Sequence, residues 1–316
     1  MTLNSSNTNP LDNDLVSVVI PVYNAEASLR ELSHRIESAF ESIEQRFEIV
    51  FVEDRGPDGS WSIIQQLASE QDDIHGIRLA RNYGQHAALL CGIRAAQGSI
   101  CMTMDDDLQH APQKIPELLE AFGKSTDVLY IAPASQPHGL ARGLASRITK
   151  WVLSSGMGAE AAARVSAWRI FRTDLRDAFG DFKGPNVNID VLLTWGTASF
   201  DFVIARHEPR AHGNSGYTVP KLIKHAMNMM TGFSTLPLQF ATFIGLALSA
   251  VGLLTLLYVV SRVLLDGSAV PGFPFLASVI SIFSGAQLFS LGVIGEYIGR
   301  IHGRSSGAPT YMVSDD

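Results

Sequence analysis

Two long stretches without a charged side chain set the first limit on how this chain can fold. Leu236–Ser261 and Phe273–Gly295 contain no Asp, Glu, Lys, Arg or His. At about 1.5 Å per helical residue, a helix over either one exceeds the roughly 30 Å hydrocarbon core of a bilayer. A single stretch of this kind also fits the buried helix of a large soluble domain. Two in succession, joined by a short Gly- and Pro-containing link over Asp266–Pro274, predict a helical hairpin that crosses and returns. The charged residues are displaced accordingly: only three of the 24 Lys/Arg and four of the 31 Asp/Glu lie beyond residue 235. Over the 316 residues the charged share is 17%, the apolar share 46% and the mean hydropathy +0.14. An ordinary soluble domain is about one quarter charged, so disorder and a wholly water-exposed surface are both disfavoured. The net charge of −7 argues against a nucleic-acid binder that relies on phosphate attraction.

The flanks orient the hairpin. Lys221 and Lys224 precede the first stretch and Arg300 and Arg304 follow the second, whereas the link carries Asp266, with Arg262 at the end of the first stretch. The positive-inside bias then puts both termini in the cytoplasm. The opening MTLNSSNTNP has neither a basic nor an apolar signal region, so removal of a signal peptide is not expected. In Val219–Thr235, Leu222, Ile223, Ala226, Met227 and Met230 recur at three- and four-residue spacing. That pattern fits an amphipathic helix in the headgroup layer, or a plain core-facing helix.

Upstream, strand and helix signals alternate. Leu15–Pro21, Phe47–Glu53, Ile74–Ala80 and Ser99–Met104 read as strands, the third weaker than the others; Ala27–Ser42, Ser60–Gln71 and Gln85–Ala96 read as helices. Such alternation predicts a parallel sheet covered by helices, with ligands bound beyond the carboxyl ends of the strands. Pro21-Val22-Tyr23-Asn24, Glu53-Asp54 and Asp105-Asp106-Asp107 would share that rim. No Gly-x-Gly-x-x-Gly follows the first strand and no P-loop motif occurs. The three aspartates repel one another unless a cation or ligand compensates, which favours a divalent ion shared with substrate phosphates. An acidic turn capping the helix near Pro112 explains the same residues equally well. Cys91 and Cys101 suit buried thiols. The nine histidines show no His-x-x-x-His spacing, so a zinc site is not expected. Trp61, Trp151 and Trp195 read as core or interface aromatics.

Taken together, Val18–Asn24 (VVIPVYN), Val50–Gly59 (VFVEDRGPDG), Arg81–Gln85 (RNYGQ), Met104–His110 (MDDDLQH), Arg210–Tyr217 (RAHGNSGY) and Gly295–Ile301 (GEYIGRI) resemble the family-2 glycosyltransferases of GT-A fold. The likeness is to their polyprenyl-phosphate branch, which includes dolichol-phosphate mannose synthase and bacterial undecaprenyl-phosphate sugar transferases, and it runs from about residue 15 to 313. The resemblance implies an α/β architecture: a Rossmann-like, mostly parallel cytoplasmic domain, then an amphipathic helix and two transmembrane helices. Its expected boundaries are a flexible N-terminus over 1–14, the GT-A domain over 15–218 and the interfacial helix over 219–235. Membrane helices over 236–264 and 275–298 follow, joined by an extracytoplasmic loop over 265–274, with a cytoplasmic tail over 299–316.

The resemblance also implies roles. Pro21, Tyr23 and Glu26 would line a nucleoside pocket, with Asp54 bonding base or ribose. Asp105 and Asp106 would face ribose and diphosphate, and Asp107 with Gln109 would bind Mg²⁺ or Mn²⁺. Arg142 and Ser146, four apart on one face of a predicted helix, Arg169, and Arg210 with Ser215 would hold the phosphate of a polyprenyl acceptor; a surface charge or a headgroup contact is the plainer reading of each Arg. The expected activity is inverting transfer of one sugar from a nucleotide donor, with UDP favoured over GDP, to undecaprenyl or another polyprenyl phosphate at the cytoplasmic membrane face. A homo-oligomer, a tetramer by analogy, is a further implication. The sequence departs from the family pattern in having no Arg in Ile131–Gln136, Gly216 in place of a Lys, Ala167 in place of an acidic residue, and Glu53-Asp54-Arg55-Gly56 in place of Asp-Asp-Gly-Ser. Two other functions compete. A processive polysaccharide synthase would carry Gln-x-x-Arg-Trp and more spans, and a non-catalytic lipid-binding protein would not need all three aspartates.

Overall fold

The computed structural model describes residues 14–122, 126–133, 162, 164–184, 187–205, 236–266 and 272–315. They fall into two compact units, Met1–Leu222 with Gly307–Asp316, and Ile223–Ser306.

The first unit is a layered α/β domain. Strands β1 (Val16–Val22), β2 (Phe47–Glu53), β3 (Ile74–Arg78), β4 (Ile100–Thr103), β5 (Val128–Pro133), β6 (Arg169–Arg172) and β7 (Phe200–Ala205) form one sheet in the order β3-β2-β1-β4-β6-β5-β7. Every residue of β1 is buried, as expected of a central strand covered on both faces. Val18 pairs with Ile49 and Val16 with Ile100 in parallel register. The carboxyl ends of β1, β2 and β4 therefore lie along one edge. Helices α1 (Leu29–Glu41), α2 (Ser60–Glu70) and α3 (Gln85–Ala95) supply the return connections. Helix α1 buries Leu29, Leu32, Ile36 and Phe40, the three- and four-residue spacing of one helical face. Helix α3 is buried along Ala87–Ile93. Its Gly92 allows close approach to the sheet, since a Cβ there would lie 2.4 Å from Val19 Cγ1.

The parallel arrangement is not complete. Strand β6 runs antiparallel to both β4 and β5, whereas β5 and β7 are parallel. A mostly parallel sheet is thus correct, and the alternation read over residues 15–110 ends where the mixed half begins. Helices α4 (Ile115–Phe122) and α5 (Ile189–Gly196) complete the domain.

The second unit contains α6 (Leu236–Asp266) and α7 (Phe273–Ser305). Among the described residues one helical segment, Pro237–Arg262, is long and apolar enough to cross a membrane, and none of its most apolar window is buried. Leu246, Leu253, Leu254 and Leu257 stand exposed along it. In water so large an apolar face is a liability, and in lipid it is the ordinary state. Gly252 lies against Phe283, whose ring would be 2.9 Å from a Cβ at that position. The amphipathic helix expected over 219–235 lies outside the described residues. Beyond α7, Gly307 takes φ +70°, the left-handed conformation that ends many helices and that glycine adopts most readily.

Candidate active site

The loops after β1, β2 and β4 are tied together at the sheet edge. Past β1 the chain turns at Asn24, with φ 59°, a conformation that Asn tolerates better than most residues. The backbone N–H of Tyr23 donates to Asp106 Oδ2 at 3.0 Å, and Ser28 Oγ donates to the Asp106 carbonyl at 2.6 Å. The first loop is thereby fastened to the acidic turn, while Tyr23 stays 52% exposed. Pro21 is buried within β1. Glu26 and Asp58 bind reciprocally across the loops: Glu26 N–H donates to Asp58 at 2.9 Å, and Gly59 N–H donates to Glu26 at 2.9 Å. Glu26 therefore satisfies a free amide at the start of α2, as an acidic residue at a helix N-terminus does well.

Asp54 is 3% exposed. Its two carboxylate oxygens accept the backbone N–H groups of Tyr83 at 2.7 Å and Gly84 at 2.8 Å. Burial pushes its carboxyl above the ordinary range, these two amides pull it back, and Glu53 adds to the rise. The geometry makes Asp54 the clamp of the Arg81–Gly84 turn. Asn in its place keeps the shape but offers one acceptor where two amides need one each. An unpaired buried amide costs about 1–3 kcal/mol. Urea unfolding of Asp54→Asn is expected to show a loss of that size, and unchanged stability would contradict the clamp.

The acidic turn itself follows β4. Asp105 N–H donates to His110 Nδ1 at 3.0 Å, Gln85 Nε2 donates to Asp105 Oδ1 at 2.7 Å, and Gln109 N–H donates to Asp107 Oδ1 at 3.1 Å. Leu108 closes the turn at φ 61° with its side chain buried. A branched residue in the left-handed region is strained. His110 is buried and stacks on Trp168 at 5.1 Å. Burial, with Asp105 and Asp107 adjoining, raises the Asp106 carboxyl to about 7, opposed by the Tyr23 amide. Its folded value lies above the ordinary carboxylate range, so the folded state holds the extra proton and stability falls as pH rises from that range towards 7. Asp106→Asn mimics the neutral acid. Its stability relative to wild type, followed by chemical unfolding, is therefore expected to improve from pH 5 to pH 7.5, and a flat difference would contradict that burial.

Among the described residues no group of three His, Cys, Asp or Glu side chains could hold a metal ion by itself. The oxygen-only donors of the turn nevertheless fit a hard divalent cation that takes its remaining ligands from a substrate diphosphate. Burial is the main cause of the raised Asp106 carboxyl, but Asp105 and Asp107 add to it, and a cation would relieve that mutual repulsion.

The expected acceptor residues divide. Arg142, Ser146, Arg210 and Ser215 lie outside the described residues. Arg169 requires a correction. It opens β6 with 2% exposure, and its guanidinium pairs with Asp190 in the first turn of α5. Tyr130 Oη also donates to Asp190 Oδ1, at 3.0 Å. An arginine whose charge is neutralised inside the domain is not open to a lipid phosphate. A buried charge needs such a partner, and in the sequence Asp190 gave no sign of being one. Gln85 and His110 lie within the family-like motifs, but their residue types alone assign them no role, and the contacts of residues 310–314 with this domain have no local signal in the sequence.

An α/β domain with an acidic rim at the carboxyl ends of its parallel strands is the arrangement of the GT-A glycosyltransferases. Residues 17–180 match Glycosyl transferase family 2, and the chain belongs to that family. It is 32% identical to an undecaprenyl-phosphate 4-deoxy-4-formamido-L-arabinose transferase of Aeromonas hydrophila, over 96% of this chain and 94% of the relative. It is 33% identical to the protein of that name from Pseudomonas aeruginosa, over 96% and 91%. The fold is shared with glucosyl-3-phosphoglycerate synthase of Mycobacterium tuberculosis, at TM-score 0.50 and 17% identity, covering 70% of this chain and 79% of that one.

Proposed function

We propose that the chain transfers one sugar from a UDP-sugar to undecaprenyl phosphate at the cytoplasmic membrane face, inverting the anomeric centre and supplying cell-envelope glycan or lipid modification. The observation that carries this reading is the acidic turn Asp105–Asp107, fastened to the β1 loop through Tyr23 and Ser28 in a chain similar over nearly its whole length to undecaprenyl-phosphate sugar transferases.

The chemistry needs little from the protein in the way of a base. A lipid phosphate is already an anion at neutral pH, so its oxygen can attack the anomeric carbon without losing a proton, and general-base assistance is dispensable. The requirement is to hold two anionic groups in line and to stabilise the departing diphosphate. A divalent cation, Mg²⁺ or Mn²⁺, on Asp107 beside Gln109 supplies that charge neutralisation when bound. Asp105 and Asp106 face ribose and diphosphate, Gln85 orients Asp105, and Tyr23 and Glu26 flank the nucleoside. Asp54 acts by holding the Arg81–Gly84 turn. Arg142, Ser146, Arg210 and Ser215 hold the acceptor phosphate; Arg and hydroxyl groups suit that task.

Two crossings are part of the proposal. Residues 312–314 pair with Arg78–Ala80, the end of β3 and its continuation, and belong to the same unit as Met1–Leu222. A chain that leaves this domain for the bilayer and pairs with it again on return crosses an even number of times. That supports α6 and α7 as outward and return spans, with the link between them outside. Purified protein incubated with a panel of nucleotide sugars is expected to release nucleoside diphosphate only when undecaprenyl phosphate is present. Release that ignores the lipid would identify a hydrolase and contradict the proposal.

A further inference from the structure

The residues that follow α7 return to the edge of the sheet beside the Asp54 clamp. Thr310 is 7% exposed, and its Oγ1 accepts the Gly184 N–H at 3.1 Å. Tyr311 Oη is 3.3 Å from Arg94 Nη1, and that guanidinium also lies over the Tyr311 ring at 5.6 Å. The Met312 carbonyl accepts the Ala80 N–H at 2.8 Å, Val313 bridges Leu79 in antiparallel sense, and Ser314 N–H donates to the Arg78 carbonyl at 2.7 Å. Strand β3 is the outermost strand on that side of the sheet. The tail thus supplies hydrogen-bond partners just past its end, where an edge would otherwise be open.

These contacts fall on the residues that lead into the clamped turn. Leu79 N–H donates to the Glu53 carbonyl at 2.8 Å, and Arg78 Nε donates to Glu53 Oε2 at 3.0 Å. Directly after Ala80 the chain enters exposed Arg81 and Asn82, and Tyr83 and Gly84 then bind Asp54. The turn is therefore held at both ends, by the tail at Ala80 and by Asp54 at Tyr83–Gly84. With the first anchor released, a longer loop must be ordered for every binding event.

We propose that Thr310–Ser314 is a positioning strap that holds the Arg81–Gly84 turn, and through it Asp54, in the donor-binding arrangement, so that the segment emerging from α7 sets donor affinity. This rests on the reading of the rim as a nucleotide-sugar site. A strap differs from a merely stabilising contact in what it moves: it acts on one loop and on one substrate.

The test uses the full chain in lipid nanodiscs. Ser314→Pro removes the N–H that donates to Arg78, and Tyr311→Phe removes the hydroxyl beside Arg94 but keeps the ring. Hydrogen exchange read by mass spectrometry, without nucleotide, is expected to quicken over residues 80–84 in Ser314→Pro while β1 and α1 keep their protection. In the transfer assay the donor KM is expected to rise about fivefold, the scale of one lost hydrogen bond, with kcat and acceptor KM unchanged. Tyr311→Phe shifts both readouts in the same direction by less, and it decides the matter if Ser314→Pro does not fold. Faster exchange of residues 310–314 with an unchanged 80–84 segment, or equal loss on donor and acceptor, would overturn the strap. A wild type that turns over no nucleotide sugar would instead overturn the function proposed above; the exchange measurement needs no donor and still decides whether the tail holds the turn.

Discussion

Asp107→Ala is expected to lower sugar transfer by about 10²–10⁴-fold while leaving the protein folded and in the membrane. The size follows from the several kcal/mol by which a cation held by that carboxylate would stabilise the departing diphosphate, at a factor of ten per 1.36 kcal/mol. Asp107 is part-exposed, and its Oδ1 bond to the Gln109 amide is a local turn contact, so thermal unfolding is expected to stay close to wild type. Manganese titration separates this loss from a general one: in wild type, Mn²⁺ is expected to strengthen binding of UDP, and in Asp107→Ala that gain is expected to disappear. Undiminished transfer by the variant would remove Asp107 from the site, and lost transfer with an intact manganese effect would move the cation elsewhere.

Arg169→Met is expected to be the most destabilising single substitution considered. Asp190 would be left inside the domain without its cation, and breaking a buried pair from one side costs about 3–5 kcal/mol. The register raises the stakes, because Arg169 pairs with Thr103 of β4 and Tyr130 of β5 and so sits where the antiparallel strand joins its two neighbours. Replacing the whole group by apolar residues, Arg169→Met with Asp190→Leu and Tyr130→Phe, is expected to restore most of the loss, since neither a lone charge nor an unpaired hydroxyl then stays buried. Urea unfolding of the single and triple variants reads the difference. A stable Arg169→Met protein with a raised KM for undecaprenyl phosphate would return this arginine to the acceptor site and overturn its reading as an internal pair.

The contrast between these two residues shows what the sequence made legible. The bounds of β2 are legible because the apolar run Ile49–Val52 is followed, after Glu53, by the turn residues Asp54-Arg55-Gly56-Pro57, and those of α1 to within two residues because its apolar period is long. Strand β3 looked weak for a physical reason: His75 and Arg78 are only partly buried on an edge strand. The three aspartates could be placed at the rim because a β4 end fixes them there, but the tying of Asp106 to Tyr23 needs two loops brought together over 83 positions. Arg169 illustrates the opposite case. A buried arginine and a surface arginine read alike until the partner is known, and Asp190 is 21 positions away. The direction of β6 was equally hidden, because four residues carry no periodicity and the neighbours decide the pairing. The tail carries no local signal, because its pairing with Arg78–Ala80 depends on few residues at great separation.

The most direct measurement of the central claim is mass spectrometry of undecaprenyl phosphate recovered after incubation with the purified chain, a UDP-sugar panel and Mn²⁺. The expected product is the lipid carrying a single sugar residue, formed with undecaprenyl phosphate but not with undecaprenol, and absent after chelation with EDTA. A ladder of added sugars, or a lipid left unmodified while every donor in the panel is offered, would contradict the account.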